Sequence, residues 1–90
     1  MRTLKDKDLD YNFNLTVGNY LRDKRKEKKM SMEDLAKRVR TTRQNIFKYE
    51  NNKSRMKLDM YISICYALAL DPAEAYNEIL ELTKKLELGD

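Results

Sequence analysis

Between Thr42 and Glu50 the run Arg43-Gln44-Asn45-Ile46-Phe47-Lys48 carries side chains that suit the edges of base pairs. An arginine can donate two hydrogen bonds to guanine O6 and N7. A glutamine can pair with adenine N6 and N7, and an apolar ring can meet a thymine methyl. Each good two-bond contact discriminates by about 1–3 kcal/mol. On a helix, Arg43 with Phe47 and Gln44 with Lys48 stand four residues apart and turn away from Ile46. Arg43, Gln44, Phe47 and Lys48 are therefore the candidate base-reading residues, on a helix laid in the major groove. Phe47 has a second reading, as a ring packed on a sugar-phosphate edge or a neighbouring helix.

Gripping phosphate is a separate job. Amides at a helix start are unpaired donors at a positive dipole end. Met32 and Thr42 stand at two such starts, and Lys53, Arg55 and Lys57 follow the reading segment. Lys37 and Arg38 are weaker candidates. Such contacts orient a protein on DNA and convey little sequence information. The charge distribution fits: residues 1–21 are neutral, residues 22–57 carry a net +9, and residues 58–90 a net −5. A basic middle beside an acidic tail points to a polyanion on one face.

Other chemistry lacks its residues. There is no histidine and one cysteine, so no intrachain disulfide, common zinc-ligand set or cofactor is expected. No nucleophile is paired with a base, which argues against an enzyme. Cys65 reads as a small buried apolar residue in a reducing cytosol. The stretch from Met60 to Leu70 is far shorter than the roughly 20 residues of a membrane span. The N-terminus has no apolar run of secretory length. A cytoplasmic location is expected. Gly18, Gly89 and Pro72 are the scarce backbone punctuation, which disfavours a many-turned β protein and a glycine-rich phosphate loop.

The elements that must hold the reading residues are helical. Residues 1–15 show no clean period and read as an arm or short accessory element. Thr16 can cap a first helix from about Val17 to Lys29. Ser31-Met32-Glu33-Asp34 is a capping pattern for a second, from about Met32 to Val39. Thr42 caps a third, from about Arg43 to Asn51. Leu58, Tyr61, Ile62, Cys65, Leu68 and Ala69 repeat at helical spacing as a fourth. Asp71-Pro72 starts a fifth, whose end from Glu87 to Asp90 should fray. The domain proper then covers residues 16–86. Two short helices separated by three or four residues are the sequence form of helix-turn-helix.

Residues 16–72 resemble the phage repressor and Cro family of Xre-like regulators. The resemblance is carried by Val17-Gly18, Leu21-Arg22, Arg25, Met30-Ser31, Glu33-Asp34-Leu35-Ala36 and Val39. It continues through Thr41-Thr42-Arg43, Ile46, Tyr49-Glu50, Lys53, Leu58, Ile64 and Ala67-Leu68. It implies an all-α, five-helix lambda-repressor-like domain, with base contacts at the places of Arg43, Gln44 and Lys48. It also implies a scaffolding ion pair between Arg25 and Glu50. Four positions depart from the family pattern. Arg40 sits where glycine often makes the bend, Lys29 where glycine ends the first helix, Met32 where glutamine touches phosphate, and Met56 where proline precedes the fourth helix.

One reading helix covers only a few base pairs, and a dimer reads two half-sites about 34 Å apart. Tyr76, Ile79, Leu80, Leu82 and Leu86 on the fifth helix are the candidate two-fold face. The same stripe could instead close the core of one chain, and the two uses can divide it. The resulting expectation is a homodimeric, DNA-binding repressor of a phage, mobile-element or restriction-modification operon. The alternative is an antitoxin that binds a toxin, with residues 1–14 as its tail. A toxin or an anti-repressor would then be the protein partner. A protein-interaction module of the same fold is a third reading, and the salt dependence of duplex binding separates it from the first.

Overall fold

The computed structural model describes residues 6–88. In chain order these form α1 (Asp6–Glu27), α2 (Met32–Arg38), α3 (Arg43–Glu50), α4 (Leu58–Ala67) and α5 (Pro72–Leu88). The fold is all-α. Local capping sets three of the starts. Ser31 Oγ accepts the Asp34 amide at 3.0 Å and Thr42 Oγ1 that of Asn45 at 3.1 Å. Asp71 Oδ1 accepts the amides of Ala73 and Glu74, with Pro72 as the first helical residue. These short polar caps satisfy donors that the helix itself leaves unpaired.

The first helix departs from expectation. It begins at Asp6 rather than Val17, so Thr16 is not its cap. Thr16 is buried within the helix, and its hydroxyl donates to the Asn12 carbonyl at 2.7 Å. The cause lies 75 residues away in sequence, where Asn12 Nδ2 donates to Glu87 Oε1 at 2.9 Å. The Phe13 ring meets Tyr76 edge-on at 6.0 Å, and Tyr20 donates to the Glu78 carboxylate. These links pair α1 antiparallel with α5, which supports turns that show little period of their own. Residues 1–5 of the expected arm lie outside the described residues. The expected fraying of α5 is not seen at Glu87 and Leu88, which remain helical, and residues 89 and 90 lie outside.

Leu21, Leu35, Ile46, Ile64, Cys65, Leu68 and Ile79 are fully buried, so each of the five helices or its cap contributes to one core. Full burial of a leucine or isoleucine stabilises by about 1.5–3 kcal/mol. Cys65 is enclosed there, and burial pushes its thiol pKa up.

Burial also raises the pKa of two phenols, Tyr20 beside Glu78 and Tyr61, whose hydroxyl donates to the Pro72 carbonyl at 2.8 Å. The folded state thus favours their neutral forms. Their stabilisation is complete below the ordinary tyrosine value of 10.0 and is lost as pH rises above it. In an alkaline absorbance titration both should ionise late, together with unfolding. Tyr20→Phe and Tyr61→Phe should each remove part of that late step.

Helices α1 to α4 end alike. Two residues past each, the backbone turns left-handed: φ is 55° at Lys29, 58° at Arg40, 57° at Asn52 and 58° at Ala69. The next amide then reaches back five residues. Met30 donates to Arg25 at 3.1 Å, Thr41 to Ala36 at 2.9 Å, Lys53 to Lys48 at 2.8 Å and Leu70 to Cys65 at 2.8 Å. This is the Schellman closure, at which glycine usually stands. A left-handed residue with a Cβ costs about 1–2 kcal/mol. Glycine loses roughly 0.5–1 kcal/mol more than alanine in chain entropy. Ala69→Gly should therefore raise stability by about 0.5–1 kcal/mol, measured as a higher urea midpoint with an unchanged slope.

Candidate nucleic-acid interface

Helix α3 has eight residues, and its two ends are held differently. At the start, Thr42 caps the helix, and Asn45 Nδ2 donates to Thr41 Oγ1 at 2.9 Å. At the far end, Arg25 Nε and Nη2 donate to the two Glu50 carboxylate oxygens at 2.7 and 3.0 Å. Arg25 Nη1 also donates to the Met30 carbonyl at 2.8 Å. Arg25 and Glu50 are 6% and 4% exposed, so this two-bond pair works away from water. It joins α1, the turn before α2 and the end of α3 in one polar knot.

Gly18 brings α1 and α3 into backbone contact beside that knot. A Cβ built on Gly18 would lie 2.6 Å from the Tyr49 carbonyl oxygen and 3.0 Å from that of Glu50. Ile46, 1% exposed and four residues before Glu50, drives the same inner face of α3 into the core. Each anchor uses a residue on the inner half of the helix.

What remains outside is Arg43, Gln44, Phe47 and Lys48, all exposed. With Lys53 from the following loop they line one open concavity of about 590 Å³. Asn51 Nδ2 closes the end of the helix by donating to the Phe47 carbonyl at 2.8 Å. The arrangement presents donors, one acceptor-bearing amide and one apolar ring on a short projecting rod.

The sequence model of the helix-turn-helix family matches residues 21–74. The chain belongs to that family, of the Xre and Cro type. Membership carries with it the class of DNA-binding transcriptional regulator. A crystal structure of ClgR, the clp gene regulator of Corynebacterium glutamicum, is similar over 86% of this chain and 82% of its own. The TM-score is 0.78 and the identity 19%. A second crystal structure of ClgR is similar over 79% of this chain and 91% of its own, with a TM-score of 0.73 and 21% identity. At such identities the likeness is one of fold. A search of curated proteins finds no match.

Within this helix-turn-helix the phosphate candidates divide. Lys53, Arg55 and Lys57 are exposed along the loop that follows α3, and Lys37 and Arg38 are exposed on α2. Thr42 is exposed, with its oxygen already serving as cap. Met32 is half-buried, its side chain packed against the core, which leaves its place at the first turn of α2 as its tie to phosphate. The contributions of Asn45, Asn51 and Gly18 to holding α3 were missed from sequence. Asn51 alone carried a local signal, as a polar residue directly after a helix.

The α5 candidates also divide. Ile79 has no exposed surface, so it closes the core of its own chain and is removed from any two-fold face. Tyr76, Leu82 and Leu86 are exposed, and Leu80 is half-buried. At about 100° per residue, Tyr76 and Leu80 lie on one flank of the buried stripe and Leu82 on the other, while Leu86, seven residues past Ile79, continues the stripe where it becomes exposed. No described helix is long and apolar enough to cross a membrane.

Proposed function

We propose that this chain is a cytoplasmic homodimeric repressor that lays α3 in the major groove of a specific operator in a phage, mobile element or restriction-modification system. Arg43, Gln44, Phe47 and Lys48 face the base edges, while Thr42, Lys53, Arg55 and Lys57 grip phosphate around them. The observation that carries this reading is the grouping of four exposed side chains opposite a buried Ile46 on a helix anchored at both ends. Leu82 and Leu86 form the two-fold face, since they are exposed apolar neighbours four residues apart near the end of α5. The antitoxin reading draws no specific support: most of its candidate tail, from Asp6 on, forms the first turns of α1.

Selection of bound sites from random duplexes tests the reading. Two half-sites related by a dyad should emerge. Arg43→Ala should relax preference at one base position and weaken binding by about 1–3 kcal/mol per site. Lys53→Ala should weaken all sequences about equally and reduce the salt slope by about 1. Interchangeable behaviour of the two variants would defeat the division of labour. Leu82→Glu with Leu86→Glu should yield monomers in sedimentation equilibrium, and a stable dimer would place the two-fold face elsewhere.

A further inference from the structure

We propose that Arg43 and Phe47 act as one unit that reads a guanine and a 5-methylpyrimidine on neighbouring base pairs, so that binding responds to methylation of cytosine at C5. This rests on the major-groove placement of α3 argued above. The two side chains are four residues apart, which puts them on one flank of the helix and about 6 Å apart along its axis. That is less than two base-pair rises of about 3.4 Å. Both are exposed and line the same concavity.

Phe47 is an unusual occupant of that wall. The residue is 44% exposed among Arg43, Gln44, Lys48 and Lys53, where its own chain leaves it open to water. A phenyl ring makes no base-edge hydrogen bond. On the floor of the major groove the apolar feature it can select is the C5 methyl of thymine. Cytosine lacks that methyl, and 5-methylcytosine restores it. Arg43 meanwhile has the planar donor pair that guanine O6 and N7 require. The Asn51 bond to the Phe47 carbonyl holds the backbone from which the ring projects. Each partner alone reads one pair, and together they favour a methyl-bearing pyrimidine beside guanine.

The test uses the full chain and the tightest duplex recovered from a randomised pool. Each thymine is replaced in turn by deoxyuridine, which deletes the methyl and keeps every hydrogen-bonding group. One thymine per half-site should show a loss of about fourfold, the value of one methyl removed from water. That thymine should neighbour the guanine whose preference disappears in Arg43→Ala. With cytosine at its place binding should be weak, and 5-methylcytosine should recover about fourfold. Phe47→Ala should bind thymine and deoxyuridine duplexes alike, and Phe47→Leu should retain part of the distinction. The proposal is overturned if no thymine is sensitive in the wild type, or if the sensitivity survives in Phe47→Ala. A pool that yields no preferred sequence would instead overturn the major-groove reading, and this proposal with it.

Discussion

Glu50→Ala should destabilise the protein by about 3–5 kcal/mol, the cost of leaving a buried charge without its partner. Arg25 would keep its place at 6% exposure with Nε and Nη2 no longer bonded to a carboxylate. Small domains have only about 5–15 kcal/mol of stability in total. At about 4–8 °C per kcal/mol, melting should fall by at least about 12 °C. Removing both charges, in Arg25→Met with Glu50→Leu, should recover a good part of this, because an apolar pair of similar volume has no unpaired charge to bury. Recovery should be incomplete, since the Met30 carbonyl would lose its donor. Thermal unfolding by circular dichroism, run on the two singles and the double, measures the coupling. A single-variant cost below about 1 kcal/mol would mean that the pair behaves like an exposed one and that α3 is held by other means.

The second large effect concerns Gly18→Ala. At an ordinary helical position this change favours the helix by about 1 kcal/mol. Here the sign should reverse. The new Cβ would meet the Tyr49 carbonyl oxygen at 2.6 Å and the Glu50 carbonyl carbon at 3.2 Å. Both are backbone atoms, so no side chain can swing aside and α1 and α3 must separate. Overpacking of this kind costs about 1–3 kcal/mol. DNA affinity should fall further than the folded fraction explains, because the displaced residues form the end of the reading helix next to Lys48. Urea denaturation and duplex titration on the same variant separate the two effects. A variant more stable than the parent would show that the helices have room between them.

Three helix starts were legible from sequence because their hydrogen bonds close within two or three residues. Ser31, Thr42 and Asp71 each satisfy amides that follow directly in the chain. The inward turn of Ile46 and the outward one of Gln44 and Lys48 follow from the helical period once the start of α3 is known. The basic excess of residues 22–57 was equally plain. The pairing of Arg25 with Glu50 was different: the family resemblance suggested it, since nothing local links residues 25 apart in sequence.

Where the reading from sequence stopped, the missing information lay across the fold. Asn12 and Phe13 meet α5 and so support turns of α1 before Val17, and Thr16 is a buried residue within that helix in place of a cap. Leu82 and Ile79 are both apolar and three residues apart, yet one is 43% exposed and the other fully buried, because burial depends on what covers each flank. Met32 stands at the start of α2, yet its side chain is half-buried against a core built largely by other helices. Helix existence, caps and charge are thus set by interactions within a turn or two of chain. The angle of α3, the removal of Ile79 from the surface and the close backbone approach at Gly18 come from atoms brought together only when distant segments pack.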